Sequence, residues 1–211
     1  MNTLELFAGS RSFSKVAKKL GHNVYTTDNQ DFEKIDQVCD IFDFDINKLP
    51  YEPELIWASP PCTSFSVASI GRHWNKDHTP KTEKAKLGVA IVKKTIEIIN
   101  DLQPKYWFIE NPRGKLRKLD FMQEFDRATV CYCKYGDTRM KPTDIWTNYL
   151  YHPELWVGWK PREMCFNGNN NCHHEPAPRG SRTGTQGLKG DYLRSQIPPA
   201  LFEDIFRDIN G

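Results

Sequence analysis

Two short segments of this chain carry side chains that could act together in covalent chemistry. The first is residues 59–62, Ser-Pro-Pro-Cys, which follow the apolar run 55–58. The second is residues 110–113, Glu-Asn-Pro-Arg, which follow the apolar run 106–109. A cysteine thiolate is a nucleophile, and a carboxyl group beside it can supply a proton. Such a pair suits an aromatic ring that is attacked and protonated together.

The elements before these segments predict that both lie at one edge of a sheet. The apolar runs have the pattern of buried strands, and the two prolines at 60 and 61 end the first strand. Open α/β sheets carry their chemistry at the carboxyl ends of parallel strands. We therefore predict that Cys62 and Glu110 lie together there, with Asn111 holding the loops. Taken singly, a small buried thiol and an Asn-Pro turn would be the ordinary explanations.

The N-terminal residues have the pattern of a nucleoside-binding unit. Residues 3–8 are predicted to form a strand and residues 11–20 an amphipathic helix, with Gly9 in the tight turn between them. A second strand at 23–27 leads to Asp28, and an acid in that place commonly binds ribose hydroxyl groups. Because the turn has one glycine, a cofactor with a ribose but no pyrophosphate fits best. S-adenosylmethionine is such a molecule.

The order of these pieces resembles that of the DNA cytosine-5 methyltransferases, over roughly residues 1–150. The compact form is similar to the versions that bacteriophages and prophages carry, and it lacks a large target-recognition domain. Residues 194–198 resemble a distorted form of the family's closing cofactor-binding motif. The matching motifs are residues 4–9 (Leu-Glu-Leu-Phe-Ala-Gly), Asp28, 40–41 (Asp-Ile), 60–62 (Pro-Pro-Cys), 110–111 (Glu-Asn) and 135–136 (Tyr-Gly).

The resemblance implies methyl transfer from S-adenosylmethionine to carbon 5 of cytosine in DNA, on a base flipped out of the duplex. Cys62 is then the nucleophile that adds to carbon 6, and Glu110 is the acid that binds the base. Asp40 is the acid that accepts the adenine amino group. The implied cofactor-binding residues are Phe7, Ala8, Gly9, Ser10, Asp28, Asp40, Ile41, Pro60 and Ser195.

One motif departs from the family's pattern. The family's Gln-x-Arg-x-Arg pattern falls at Arg139, Lys141 and Thr143. The last cation, which in the family supports the flipped base, is therefore a threonine here. We expect Lys141 or Arg139 to replace it, and both are candidate catalytic residues.

Two polar segments are candidates for contact with nucleic acid. Residues 63–82 are basic and aromatic, and we predict a mobile loop that closes over substrate, with an ordinary surface loop as the alternative. Residues 177–189 are rich in glycine, hydroxyl groups and cations, which suits phosphate contact, and a flexible solvated loop is the alternative. The candidate DNA-binding residues are Ser64, Arg72, Arg113, Arg179, Arg182 and Lys189.

A group of cysteines and histidines near the C-terminus is a candidate zinc site. A small irregular segment gains stability from a metal that joins its parts. Cys131 or Cys133 could complete a set of four ligands. Unpaired thiols and surface histidines are the alternative, because the spacing is not that of a standard zinc finger. The candidate ligands are Cys165, Cys172, His173 and His174.

The composition limits the class and the compartment of the protein. Its 211 residues suit one domain with a small appendage, and its net charge of +2 means that DNA affinity must come from local patches. The lack of a secretory segment and of an apolar run near twenty residues predicts a cytoplasmic protein, in a bacterial or phage-infected host cell. Its cysteines are then thiols or metal ligands.

Alternation of strands and helices predicts an α/β fold with a doubly wound, mostly parallel, Rossmann-like sheet. The predicted strands are 3–8, 23–27, 55–58, 105–110, 128–133 and 144–149, and the predicted helices are 11–20, 83–102 and one beginning at about 198. We divide the chain into an S-adenosylmethionine-binding catalytic domain at 1–150, an irregular target-recognition-like segment at 151–193, and a C-terminal helix at 194–211 that packs back on the catalytic domain.

Two other functions stay open on the sequence alone. The first is methylation of cytosine in RNA or of another pyrimidine carrier. The second is a catalytically silent DNA-binding relic of the fold, against which the intact pair of Cys62 and Glu110 argues. The small recognition segment is consistent with a short target site, a homodimer or a partner subunit. Expected biological roles are restriction–modification or phage self-protection.

Overall fold

The computed structural model describes residues 1–175 and 190–211, and it is built on a sheet of seven strands. The strands are β1 (Asn2–Leu6), β2 (Asn23–Asp28), β3 (Gln37–Val38), β4 (Leu55–Ala58), β5 (Tyr106–Pro112), β6 (Arg127–Cys131) and β7 (Pro142–Thr147). The helices are α1 (Ser12–Lys19), α2 (Ile70–His73), α3 (Glu83–Leu102), α4 (Asp191–Ser195) and α5 (Pro199–Asn210).

The sheet has the order β3-β2-β1-β4-β5-β7-β6, and β7 alone runs against its neighbours. This confirms the predicted α/β class with a mostly parallel, doubly wound sheet. Strand β3 and helices α2 and α4 are too short to leave a periodic pattern, so the sequence did not predict them. The proposed division into domains stays a prediction.

The two faces of the sheet are covered by different helices. On one face, Phe13 of α1 and Phe202 of α5 pack against Trp57 of β4, with ring centroids 6.0 Å and 4.8 Å from the tryptophan. On the other face, Val92 of α3 belongs to a buried cluster with Ile56 of the same strand. Parallel strands covered on both sides are apolar throughout, which explains the continuous apolar runs in the sequence.

The segment after β7 packs on the C-terminal helix. Trp159 is fully buried, and its ring lies 6.0 Å from that of Phe108 in β5. The Arg162 guanidinium donates to both carboxylate oxygens of Asp204 in α5, at 2.6 Å and 3.0 Å, and to the Lys134 carbonyl at 2.7 Å. These contacts fix residues 159–162 against the sheet and α5. Within the described part of the chain, no helix has the length and apolarity needed to cross a membrane.

A buried carboxyl group joins β1 to the start of α1. Glu5 is 4% exposed, and its Oε2 accepts hydrogen bonds from the backbone N–H of Ser14, at 3.0 Å, and from the Ser14 hydroxyl. The N–H groups of a helix's first turn have no partner within the helix, so Glu5 caps α1 from the neighbouring strand. Burial raises the pKa of Glu5 to about 7, against the opposing effect of the Ser14 hydrogen bonds.

This raised pKa predicts a pH dependence of stability. Because the pKa of Glu5 is about 7 in the folded state and 4.5 in a free glutamate, its contribution is fully present below about pH 4.5 and is lost as the pH rises to about 7. The loss amounts to about 3 kcal/mol in the free energy of unfolding. We expect Glu5→Gln to flatten this part of the profile, measured by urea unfolding from pH 4.5 to 8. Glu52→Gln, at an exposed glutamate, should keep the wild-type slope.

Candidate active site

The carboxyl ends of four strands meet at one edge of the sheet, and most of the predicted site residues lie there. Leu6 of β1 pairs in parallel with Thr27 of β2 and with Ala58 of β4, and Ala58 pairs with Ile109 of β5. The segments that follow these paired positions carry the glycine turn after β1, Asp28, the Pro-Pro-Cys turn and Glu110. The register of the strands therefore brings these four segments to the same edge of the sheet.

Asn111 joins the two segments that carry Cys62 and Glu110. Its side-chain Nδ2 donates a 3.0 Å hydrogen bond to the Pro60 carbonyl, and the amide is fully buried. No described residue donates a hydrogen bond to its Oδ1. The amide therefore holds the loop after β4 against β5 and keeps an unpaired acceptor inside the site.

Glu110 is buried and is held by a tyrosine that follows β6. The Tyr132 hydroxyl donates to Glu110 Oε1 at 2.9 Å, and both side chains are buried. Burial raises the pKa of Glu110, while the positive charge of Lys141 and the hydrogen bond from Tyr132 oppose the rise. A buried carboxyl with a raised pKa can carry a proton at a pH where an exposed one is ionised.

Lys141 is the cation that faces the thiol and the carboxyl group. Its Nζ lies 4.6 Å from the centre of the Tyr132 ring and donates a 3.1 Å hydrogen bond to the Arg194 carbonyl. Burial raises the pKa of Cys62, the negative charge of Glu110 raises it further, and Lys141 lowers it. Burial in turn lowers the pKa of Lys141, against the attraction of Glu110 and Cys62. The pKa values of Cys62, Glu110 and Lys141 therefore depend on one another.

Arg139 makes a different set of contacts. Its Nε donates to the two carboxylate oxygens of Asp137, at 2.9 Å and 3.0 Å. Its Nη2 donates to the Gln196 carbonyl at 3.1 Å, and its Nη1 to the Arg194 carbonyl at 3.3 Å. The guanidinium is buried. It therefore anchors residues 194–196 beside the sheet edge.

The glycine turn and Asp28 are joined by backbone hydrogen bonds. Asp28 Oδ2 accepts from the Gly9 N–H at 2.9 Å, and Oδ1 accepts from the Gln30 N–H at 3.0 Å. Gly9 has a φ of +39°, a left-handed conformation that favours glycine. Burial raises the pKa of Asp28, against these hydrogen bonds. Phe7 is half-buried and Ala8 is buried beside the turn.

The other predicted cofactor residues lie at the same edge or in short turns near it. The exposed Asp40 side chain accepts from the Phe42 N–H at 3.0 Å and so caps a 3-10 turn that buries Ile41. The Ser195 side chain is exposed and donates to the Tyr192 carbonyl at 2.8 Å. The Ser10 hydroxyl bonds that of Ser12 at 2.8 Å, and Ser12 Oγ accepts from the Ile197 N–H at 3.2 Å.

The predicted DNA-binding residues differ in their exposure to solvent. Arg72 and Arg113 are exposed. Ser64 differs from the expectation, because it is buried and its hydroxyl faces Gly88 of α3, where an added methyl group would stand 2.7 Å from it. The Ser64 carbonyl also accepts a 2.7 Å hydrogen bond from the Trp74 indole, so part of the segment 63–82 is packed inward. Arg179, Arg182 and Lys189 lie outside the described residues.

Four of the candidate metal ligands come together in one cluster. The ligand atoms of Cys133, Cys165, Cys172 and His174 all lie within 4.8 Å of one another. Cys131 lies outside this group, and its Sγ donates to the Cys165 carbonyl at 3.4 Å. His173 also lies outside it, because its Nε2 bonds the Asp137 carbonyl at 3.0 Å. The backbone N–H and the side chain of His174 lower the pKa of Cys172 to about 6.

Sequence reasoning did not find Tyr132 or Asp137. Tyr132 lies between two cysteines at the end of a strand pattern, and Asp137 lies in a turn. Neither has a spacing that marks a polar partner. Only the folded chain shows that Tyr132 holds Glu110 and that Asp137 pairs with Arg139.

The chain is similar in sequence to a viral protein and in fold to two solved structures. A Frog virus 3 (isolate Goorha) protein with the name "Probable DNA (cytosine-5)-methyltransferase" is 31% identical over 224 residues, covering 97% of this chain and 98% of the relative. A prophage-encoded E. coli protein described as a "putative DNA modification methyltransferase" matches with a TM-score of 0.52 and 14% identity, over 79% of this chain and 52% of its own.

The Entamoeba histolytica methyltransferase EhMeth matches with a TM-score of 0.54 and 13% identity, over 78% of this chain and 57% of its own. This chain thus spans about half the length of the two solved structures, and at such low identity they show a shared fold. The family model of the C-5 cytosine-specific DNA methylases matches residues 1–129. With that match and the viral relative, this chain belongs to the C-5 cytosine-specific DNA methylase family.

Proposed function

We propose that this DNA cytosine methylase uses S-adenosylmethionine as its methyl donor and Cys62 as a covalent nucleophile toward a flipped cytosine. One observation carries the proposal. Cys62 follows the end of β4 and lies within the electrostatic reach of one buried carboxyl group, Glu110, and of two cations, Lys141 and Arg194. A nucleophile, a proton donor and a positive charge are the three groups that activation of a pyrimidine ring requires.

The residues at the ends of β1 and β2 fit S-adenosylmethionine. Each carboxylate oxygen of Asp28 accepts one backbone N–H and so keeps a further lone pair for a ribose hydroxyl group. A Cβ added at Gly9 would stand 3.8 Å from Asp28 Oδ2, in space beside that carboxylate. Phe7, Gly9 and Asp28 would hold the nucleoside. When bound, S-adenosylmethionine supplies an electrophilic methyl group.

The role of Cys62 follows from the electronic structure of cytosine. Carbon 5 of the ring is too weak a nucleophile to take a methyl group unaided. Addition of the Cys62 thiolate to carbon 6 breaks the C5–C6 double bond and places its electron pair on carbon 5. After methylation, loss of the proton from carbon 5 lets the double bond re-form, and Cys62 leaves as the thiolate. The positive charge of Lys141 favours the thiolate form of Cys62, both before it adds to the ring and after it is released.

Glu110 stabilises the ring as the thiolate adds. Negative charge develops on the ring nitrogen, and a protonated carboxyl group can donate a proton or a hydrogen bond to it. Burial raises the pKa of Glu110 and so favours the protonated form that this role needs. The Tyr132 hydroxyl, 2.9 Å from Oε1, fixes the orientation of the carboxyl group.

We assign different roles to the two cations of the altered motif. Lys141 takes the place of the family's last cation, because it interacts with both Glu110 and Cys62. Arg139 is a positioning residue, because its donors are taken up by Asp137 and by main-chain carbonyls. The exposed Arg72 and Arg113 are proposed phosphate contacts around a flipped base.

The first prediction concerns the cofactor. Asp28→Asn replaces one negatively charged acceptor and should weaken binding of S-adenosylmethionine by roughly 1–3 kcal/mol. Isothermal titration calorimetry measures this directly. The matched control is Asp31→Asn, at an exposed acid close by in the chain, which should bind like the wild type. An intact protein that shows no affinity for the cofactor would refute the assignment.

The second prediction concerns the covalent step. DNA that contains 5-fluorocytosine should remain attached to Cys62, because fluorine replaces the proton whose loss releases the enzyme. The adduct is detected as a band that survives denaturing electrophoresis. Cys62→Ser should give no adduct, whereas Cys39→Ser should give the wild-type amount. Methyl transfer by the Cys62→Ser protein would rule out Cys62 as the nucleophile.

The third prediction separates the two roles of Glu110. At a pH above the pKa of Glu110, its carboxylate raises the pKa of Cys62. Glu110→Gln removes that charge, so alkylation of Cys62 by iodoacetamide should shift to lower pH. Methylation should nevertheless fall, by about 10²- to 10⁴-fold, because the proton donor is lost. Glu124→Gln, at an exposed site, is the control for both measurements.

Parallel losses of alkylation and methylation in Glu110→Gln would contradict this separation of roles. Melting temperatures of the three proteins show whether faster alkylation reflects a lower pKa or a loosened fold. Only a variant that melts like the wild type is used to compare alkylation rates.

A further inference from the structure

The four side chains of Cys133, Cys165, Cys172 and His174 form a compact cluster outside the proposed catalytic groups. Their ligand atoms lie within 4.8 Å of one another, and Cys165 Sγ lies 3.6 Å from His174 Nδ1. Cys133, Cys165 and His174 are buried and Cys172 is half-buried. Three thiols and one imidazole are the Cys₃His set that structural zinc sites use.

The spacing of the ligand atoms is close to that of a tetrahedral metal centre. Zinc–sulfur bonds of about 2.3 Å at tetrahedral angles place neighbouring sulfur atoms about 3.8 Å apart. The four ligand atoms lie within 4.8 Å of one another, so any two of them need to approach by about 1 Å or less to reach the separation found around zinc.

The surroundings of the cluster supply hydrogen bonds to the sulfur atoms. Asn169 Nδ2 donates to Cys165 Sγ at 3.5 Å. The Asn169 carbonyl also accepts from the Cys172 N–H at 3.1 Å, so this residue fixes two of the four ligands. Groups of this kind orient the ligands of metal sites.

The cluster joins parts of the chain that are distant in sequence. Cys133 lies in the turn Tyr132–Tyr135 that follows β6, whereas the other three side chains lie in the irregular segment at 165–174. Outside the cluster, the Glu175 N–H donates to the Thr138 carbonyl at 2.9 Å, the His173 ring bonds the Asp137 carbonyl, and Cys131 Sγ donates to the Cys165 carbonyl. Such a short polar segment has little apolar surface to hold it in place, and a metal would supply the missing stability.

We propose that Cys133, Cys165, Cys172 and His174 bind one structural Zn²⁺ ion that fastens the segment after β7 to the turn after β6. The site has four protein ligands and no open position, so its role is structural. Metal binding releases the thiol protons to solvent, and no oxidant or reductant is involved.

Metal analysis of the full-length protein tests the proposal. Protein that is purified without chelator should contain about one zinc ion per chain by plasma mass spectrometry. Reconstitution with Co²⁺ should give the intense visible bands and the thiolate charge-transfer band of a tetrahedral site. Cys172→Ser, at the half-buried ligand, should lose the zinc and the bands.

Two histidine variants provide the matched comparison. His174→Cys keeps four ligands and should retain zinc, with cobalt bands shifted toward those of a four-thiolate site. His173→Ala removes the neighbouring imidazole, whose nitrogen bonds a carbonyl, and should retain zinc with an unchanged cobalt spectrum. These outcomes do not depend on methyl transfer.

Three results would overturn the proposal. The first is wild-type protein that contains no zinc and gives no tetrahedral cobalt spectrum. The second is Cys172→Ser protein that holds as much zinc as the wild type. The third is mass-spectrometric evidence that two of the three thiols form a disulfide in protein kept under reducing conditions.

Discussion

The burial of the Glu110 carboxyl group beside a thiol is the constraint on which the rest of the site depends. A carboxyl group taken out of water needs hydrogen-bond donors or positive charge close by. Tyr132 provides the donor and Lys141 provides the charge. Both come from the segment around β6 and β7, the part of the sheet that contains the reversed strand. The candidate site at the edge of the parallel strands therefore depends on β6 and β7 for the groups that stabilise its buried carboxyl.

Strand register explains why so much of the site could be predicted from the sequence. Each predicted strand ends in a residue that cannot continue it or in a polar group, and parallel pairing then brings those ends to one edge. Cys62, Glu110, Asp28 and Gly9 lie together for this reason. Helix α3, predicted at 83–102, has those bounds in the structure, because its apolar stripe is long and regular.

The remaining parts of the site depend on turns, which leave little trace in a sequence. Cys131 and Cys133 would lie on the same face of a continuous strand, so spacing alone did not separate them. The strand ends at Cys131 and a 3-10 turn begins at Tyr132, which directs Cys133 toward Cys165 and leaves Cys131 bonded to a carbonyl. Likewise, only the Arg139–Asp137 ion pair shows why Lys141, rather than Arg139, faces the thiol.

The hydrogen bond between the Ile197 N–H and Ser12 joins residues 185 positions apart. Arg139 binds main-chain carbonyls of the same late segment, and α5 packs against α1. The first helix and the glycine turn thus acquire their final neighbours only when residues 196–206 have packed against them. Because contacts between residues so far apart in the sequence form slowly, this edge of the sheet is expected to reach its final structure late in folding.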